Sequence, residues 1–204
     1  MLPLFPQLES FTLHRRRVKY ARIYINYDLE VRVVIPMRFP ERALNAFLIE
    51  KAGWIEKTIA HYKHLRSQAP QLPKGEILFL GRSITVDFDT TNSVALEKWY
   101  RKEAKKYFST RLLDLATQFG FSYNKLLIRG AKTRWGSCSS KKHISLNYHL
   151  IKAPVFAIEY VMLHELVHTE IMNHSKRFWK RVAEVCPGYK EATKWLRTYG
   201  NGLY

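Results

Sequence analysis

Residues 164–168 read His-Glu-Leu-Val-His, and no other stretch limits the architecture as tightly. Side chains four apart on an α-helix share a face, so His164 and His168 can offer two imidazole nitrogens to one ion if this stretch is helical. Glu165 stands one ~100° step round from His164. That sets its carboxylate beside such an ion, free to act as a base on bound water. A hydrolytic zinc site needs a third protein ligand and an open fourth position. His174 follows six residues after His168. An uninterrupted helix would carry it about 9 Å further along the axis, so the chain has to leave the helix and fold back. Asn173 tolerates the left-handed conformation such a reversal often uses, and Ser175 suits the N-cap of a new helix. Glu170 is the alternative third ligand, two residues past His168 on a different helical face.

The rest of the chain predicts an α+β fold in two parts. Phe11–Val18, Ala21–Tyr27 and Val31–Ile35 carry strand-forming residues. From Pro40 to Gln68 the spacing turns helical, with Leu44, Phe47, Leu48, Trp54, Ile55, Ile59 and Tyr62 recurring at threes and fours. A Pro/Gly-rich break, read as a domain boundary, follows at 68–75, and Glu76–Phe88 reads as a hairpin turning near Gly81-Arg82-Ser83. An amphipathic helix spans about Val94–Phe119, stopped by Gly120. Strands are predicted at Lys125–Arg129 and His143–Ile151, with a polar loop from Gly130 to Lys142 between them. Helices follow from Pro154 to about Ile171, from Ser175 to before Pro187, and over Tyr189–Tyr199. The expected division is an N-terminal strand/helix domain over 1–92 and a second domain over 93–204.

Lys+Arg 34 against Asp+Glu 17 gives a net charge of +17, which favours anionic partners. Basic residues cluster at Arg15–Arg17 with Lys19 and Arg22, at Arg101, Lys102, Lys105 and Lys106, at Lys141–Lys142, and at Lys176, Arg177, Lys180 and Arg181. No apolar run approaches the ~20 residues of a membrane-spanning helix. The first residues lack a basic segment followed by an apolar one, so no leader is expected. Two cysteines, Cys138 and Cys186, exclude a disulfide framework, and the expected location is the cytoplasm. Zinc-finger, homeodomain, RNP, Walker-type and G-x-G-x-x-G patterns are all missing.

Several segments together resemble the YgjP-like zinc metallopeptidase family: Arg134-Trp-Gly-Ser-Cys-Ser-Ser140, Ile144-Ser-Leu-Asn147, His164-Glu-Leu-Val-His168 and Met172-Asn-His-Ser-Lys-Arg-Phe-Trp179. Lys51–Lys57, Phe79–Arg82 and Cys186–Tyr189 match further segments. The resemblance implies that the second domain is a minimal zincin-like domain carrying one Zn2+. His164, His168 and His174 would be its ligands and Glu165 its catalytic acid/base. It further implies that the Arg134–Cys138 segment and the His143–Ile151 strand flank the cleft, where extended peptide binds by edge pairing. The spacing is also similar to that of the metzincins, but Ile171 stands where their helix-ending glycine would be.

Arg134 and Trp135 read either as a packed aromatic under a snorkelling cation or as a positive group near the substrate. Asn147 and His149 are further substrate-side candidates, against an anchoring role for the first and a solvent-facing strand position for the second. Cys138 reads as a small buried residue. The leading expectation is a zinc-dependent hydrolase acting on peptide or protein. Two alternatives stand beside it: hydrolysis of a nucleotide phosphoanhydride at the same metal, and a nucleic-acid-associated protease or binding module.

Overall fold

The computed structural model describes residues 11–68, 72–131 and 134–203. The first residues of the chain, read above as lacking a leader, and positions 69–71 of the Pro/Gly break lie outside them. The fold is mixed α+β, and its backbone forms two compact units, Met1–Pro70 and Gln71–Tyr204.

In the first unit β1 (Phe11–Arg16), β2 (Arg22–Ile25) and β3 (Val31–Pro36) form a sheet in the order β1-β3-β2. β1 runs parallel to β3 and β2 antiparallel to it. The tight β2–β3 turn is closed by Asn26, whose Oδ1 accepts from Glu30 N at 2.8 Å and whose Nδ2 donates to Glu30 Oε2 at 2.9 Å. Side chains alternate across the sheet: Val31, Val33 and Ile35 are buried while Arg32 is exposed. Helix α1 (Glu41–Gln68) covers the buried face with Leu44, Leu48, Ile55 and Ile59, at the threes-and-fours spacing read from the sequence. Trp54 departs from that reading. It is 48% exposed, because its neighbour Ile55 occupies the central line of the stripe.

The second unit begins with the hairpin β4 (Glu76–Phe79) and β5 (Arg82–Thr85). Its turn lies at Leu80-Gly81, both with positive φ (51° and 78°), one position earlier than expected. Two-residue hairpin loops need this conformation. A Cβ on Gly81 would also lie 2.7 Å from Pro154 Cα. Leu80 N donates to Ile151 O and Gly81 N to Lys152 O, and Tyr100 Oη donates to Leu78 O. These bonds tie the hairpin to the second unit, whereas a boundary at 92/93 had put it with the first. Helix α2 (Ser93–Phe119) is capped by Asn92 and ends on Gly120 at φ 72°. It buries Tyr100, Ala104, Phe108, Leu112 and Leu115.

A second sheet has the order β6-β8-β7: β6 (Lys125–Arg129) parallel and β7 (Gly136–Cys138) antiparallel to β8 (His143–Asn147). The sequence reading makes 130–142 a loop, but residues 136–138 are a strand. Gly-Ser-Cys has no β-propensity, and this strand exists through its pairing with β8 alone. β8 in turn stops at Asn147, and 148–152 form a 3-10 turn in place of the expected strand to Ile151. Asn147 causes the change: its side chain accepts from His149 N and caps the turn. Three helices complete the unit, α3 (Val155–Val167), α4 (Lys176–Val185) and α5 (Tyr189–Tyr199). The α3 stripe Ala157, Ile158, Val161, Met162 and Leu166 is fully buried, packing with β8, α2 and α4 residues in one core. Among the described residues no helix is long and apolar enough to cross a membrane.

Candidate metal centre

Helix α3 ends at Val167, with His168 as C-cap, rather than continuing to Ile171. The backbone then tightens through Thr169 N to Leu166 O and Glu170 N to Val167 O, while Thr169 Oγ1 also donates to Leu166 O at 2.7 Å. Three-residue closures of this kind satisfy the last carbonyls and terminate the helix. Asn173 reverses the chain without the left-handed backbone expected of it: it is absent from the positive-φ residues, and its Oδ1 accepts from Ser175 N at 3.3 Å. The Asx turn does locally what a positive φ would have done. Ser175 then caps α4, accepting from Phe178 N at 3.4 Å.

That reversal brings His174 against the two helical histidines. His174 Nε2 lies 3.1 Å from His164 Nε2 and 3.2 Å from His168 Nε2. Two nitrogens bound at about 2.0–2.1 Å to one tetrahedral ion are roughly 3.4 Å apart, so the spacing fits a metal. Protonation fits as well. His168 Nδ1 lies 3.0 Å from Ile171 O, and a carbonyl only accepts, so this nitrogen carries the proton and Nε2 presents its lone pair. Burial, then the two neighbouring imidazoles, push His164 down to about 3, and burial likewise lowers His168. Neutral imidazoles are the ligating form. The three residues form the cluster among the described residues that could hold an ion. Glu170 is elsewhere, its Oε2 paired with Arg181 Nε at 3.3 Å.

Glu165 is only 5% exposed. Burial pushes its carboxyl up to about 8, with the charge of Arg134 pulling the other way. Its Oε2 is buried and has no hydrogen-bond partner among the described residues. A buried carboxyl oxygen without a partner is costly unless a cation or water answers it, which is a second sign that the donor set suits a metal with its bound water. β7 runs directly over this side chain: a Cβ on Gly136 would meet Glu165 Oε1 at 2.6 Å.

Of the four substrate-side candidates, Arg134 is the one whose charge reaches Glu165, and it is exposed. Trp135 is half-buried in the core and lies against Gly200, where an added Cβ would meet its ring at 2.9 Å. Asn147 is buried, and its Nδ2 donates to Ala131 O and Arg134 O. This is the anchoring arrangement, with the amide holding the loop that carries Arg134. His149 stands in the 3-10 turn rather than a strand, stacked on Tyr148 at 4.1 Å. Burial, then Lys152, lower its pKa to about 4, and the remaining influences on it are Leu203, Glu97 and Arg101. Those are neighbours on the α2 and C-terminal side, and the structure does not bring His149 to the histidine cluster. Cys138 is half-buried, and burial followed by the charge of Glu165 raises its thiol to about 11.

Three contributors went unassigned in the sequence. Phe178 is fully buried beneath the cluster, stacked on His168 at 4.5 Å and edge-on to His164 and His174 at 4.9 and 4.8 Å. Trp179 stacks on His174 at 5.8 Å. Tyr160 Oη approaches His164 Nδ1 at 3.5 Å. Only Tyr160 left a geometric signal, since it stands one turn before His164 on the same helix.

A family model described as a YgjP-like metallopeptidase domain matches residues 19–96 and 87–199 of the chain. No curated protein matches it. Among solved structures, the crystal structure of the metallopeptidase zymogen of Pyrococcus abyssi abylysin is 28% identical, with a TM-score of 0.37. That alignment covers 41% of this chain and 85% of the other.

Proposed function

Since the chain belongs to the YgjP-like metallopeptidase family, we propose that it is a zinc-dependent peptidase whose centre is His164, His168 and His174 with Glu165 as general base. The observation that carries this reading is the convergence of three imidazole Nε2 atoms beside a buried, unpartnered carboxylate oxygen. Bound zinc would supply Lewis-acid polarisation of the scissile carbonyl and lower the pKa of water towards ~7.

The protein's own groups do the rest. Ile171 O fixes the His168 ring through Nδ1, leaving Nε2 for the metal. Phe178 and Trp179 hold the His174 ring from two sides. Glu165 accepts a proton from the attacking water and returns it to the leaving amine. In the absence of a cation its carboxyl stays protonated at neutral pH, given the pKa of about 8. A dication held by the three histidines would favour the ionised form of Glu165, so metal loading and base activation would go together. β7 is an edge strand of its sheet and crosses Glu165 at Gly136. An extended peptide pairing with this edge would bring its backbone to the reacting groups.

The test compares the parent protein with Glu165→Gln on a casein or peptide substrate, with and without chelator. Zinc near one per chain in both proteins, with turnover lost by at least a hundredfold in the variant, is the expected result. Full turnover in the variant, or turnover unaffected by metal removal, refutes the reading. A nucleotide panel run in parallel separates peptide hydrolysis from phosphoanhydride hydrolysis at the same metal.

A further inference from the structure

The first unit contains a surface that the metal centre does not use. Register places the side chains of one sheet face in rows. Thr12, Arg32 and Tyr24 are cross-strand neighbours, as are His14, Val34 and Arg22, and Arg16 pairs with Pro36. Helix α1 covers the opposite face, through Val31, Val33 and Ile35, so this one carries the outward-pointing residues. Thr12, Arg16, Arg22, Tyr24 and Arg32 are all exposed. No acidic residue lies in these rows. Among the described residues, none of the three arginines is ion-paired, although five salt bridges occur elsewhere. Glu30, in the β2–β3 turn, is engaged with Asn26.

Tyr24 and Arg32 form a cation–π pair on this face. Tyr24 is 39% exposed, and the Arg32 guanidinium lies over its ring at 5.1 Å. At the free edge of β2, between that strand and α1, lies a cavity of about 510 Å³ lined by Arg22, Ile23, Tyr24, Phe47, Lys51 and Trp54. Trp54, the aromatic that left the α1 core stripe, is half-exposed there. Successive rows along β3 are two residues, or about 6.6 Å, apart. The cations are therefore strung out along the strand direction rather than bunched at a point.

We infer that the open β1-β3-β2 face, with Arg16, Arg22, Arg32 and Tyr24 and the Trp54-lined cavity beside it, binds single-stranded nucleic acid. Arginines outside any ion pair among the described residues, spread over successive rows, track a phosphate backbone, and a half-exposed Trp54 with the Arg32–Tyr24 pair offers planar groups on which bases stack without regard to sequence. A duplex is the poorer fit, because reading it takes a helix or ribbon that enters a groove about 12 Å wide, and this face is a three-stranded sheet. The inference is independent of the peptidase reading.

The experiment titrates the full chain against a labelled oligothymidylate at several salt concentrations, following fluorescence anisotropy. Arg22→Glu combined with Arg32→Glu is expected to weaken binding by roughly tenfold or more and to make the log–log salt slope shallower by about 1.4, the value for two lost phosphate contacts on a single strand. Tyr24→Ala is expected to weaken binding by about five- to a hundredfold with the slope unchanged, and Tyr24→Phe to restore it. Lys102→Glu with Lys106→Glu on α2 serves as the charge control and should leave the affinity near that of the parent. Circular dichroism checks that each variant is folded. The inference is overturned if the oligonucleotide does not bind at low salt, if the α2 pair rather than the sheet variants removes binding, or if duplex binds as tightly and Tyr24→Ala has no effect. It also fails if anionic phosphatidylserine vesicles bind while the oligonucleotide does not.

Discussion

A methyl group at position 136 would sit 2.6 Å from Glu165 Oε1, 2.7 Å from Cγ and 2.9 Å from Cδ. Glycine is required there by a close approach and not by backbone conformation, since Gly136 is not among the positive-φ glycines. Gly136→Ala therefore forces the Glu165 side chain or β7 to shift. The expected cost is about 1–3 kcal/mol of stability, read from denaturation midpoints, and a loss of peptide turnover larger than any change in zinc content. A variant as active and stable as the parent would mean that the strand and the acid are not coupled. Lys152 offers a second single-residue test. Burial lowers its pKa to about 8 from the ordinary 10.5, while Nζ donates to Leu203 O at 2.7 Å and lies 4.8 Å from the Tyr100 ring centroid. Below pH 8 both folded and unfolded chains hold the proton, so stability does not vary through this group. Between pH 8 and 10.5 the unfolded chain still holds it and the folded chain has released it, so stability rises with pH, by at most about 3 kcal/mol. Urea denaturation at pH 7.5 and 10.5 should show this rise in the parent and lose it in Lys152→Met. Position 136 shows what single residues reveal in sequence and what they hide. Its glycine was visible as part of a recurring segment, but the carboxylate it makes room for is 29 positions away.

At the scale of the elements, the site depends on how α3 stops and α4 starts. Five residues separate His168 from His174, and the need for a chain reversal followed from helical geometry alone. Its form did not. The helix ends four residues earlier than periodicity suggests, at Val167, where Thr169 N closes onto Leu166 O and Glu170 N onto Val167 O. The Asn173 side chain, rather than a left-handed backbone, makes the turn. Ser175 was legible because a capping hydroxyl before a helix is a local signal. Ser175→Ala should lower stability by about 1 kcal/mol and weaken zinc binding as well, since the cap fixes the residue next to His174. Competition with a zinc-binding dye measures the second effect, and an unchanged affinity would separate the cap from the centre. Phe178 lies within the same helix start and touches all three imidazoles. Phe178→Leu keeps an apolar side chain in place, with a stability change on the order of 1 kcal/mol, but removes the ring that sets the imidazole planes. An affinity loss near tenfold is the expected scale for an outer partner of a metal ligand.

On the scale of the whole molecule, metal binding should be felt by one unit and not the other. All three histidines belong to Gln71–Tyr204. Free zinc at a hundred times its dissociation constant would stabilise that unit by about 2.7 kcal/mol. Calorimetry with zinc and with chelator should therefore move the transition of the second unit while that of the first stays in place. A uniform shift of the entire unfolding profile would contradict this. The surface charge is likewise shared unequally in kind. Of the basic clusters visible in the sequence, several members are already engaged: Arg15 donates to Met37 O and Phe39 O, Arg101 pairs with Glu97, and Arg181 pairs with Glu170 and Glu184. Arg16, Arg22 and Arg32 are left on an open sheet face.

The sequence alone determined what depends on short-range periodicity and donor chemistry. His164 and Glu165 on α3 and His168 at its C-cap come together because positions four apart stand one helical turn apart, and α1, α2 and the strands of the first unit followed from residues that repeat in register. Tertiary structure decided what depends on distant backbone. β7 has no strand-forming residues and exists only against β8. Asn147 became a loop anchor through carbonyls 13 and 16 positions earlier, and His149 turned away from the cluster because that same amide capped a turn. Local propensity acts between neighbours in the chain, whereas a hydrogen bond to a remote carbonyl or a packed ring is settled only when the folded backbone brings the two together.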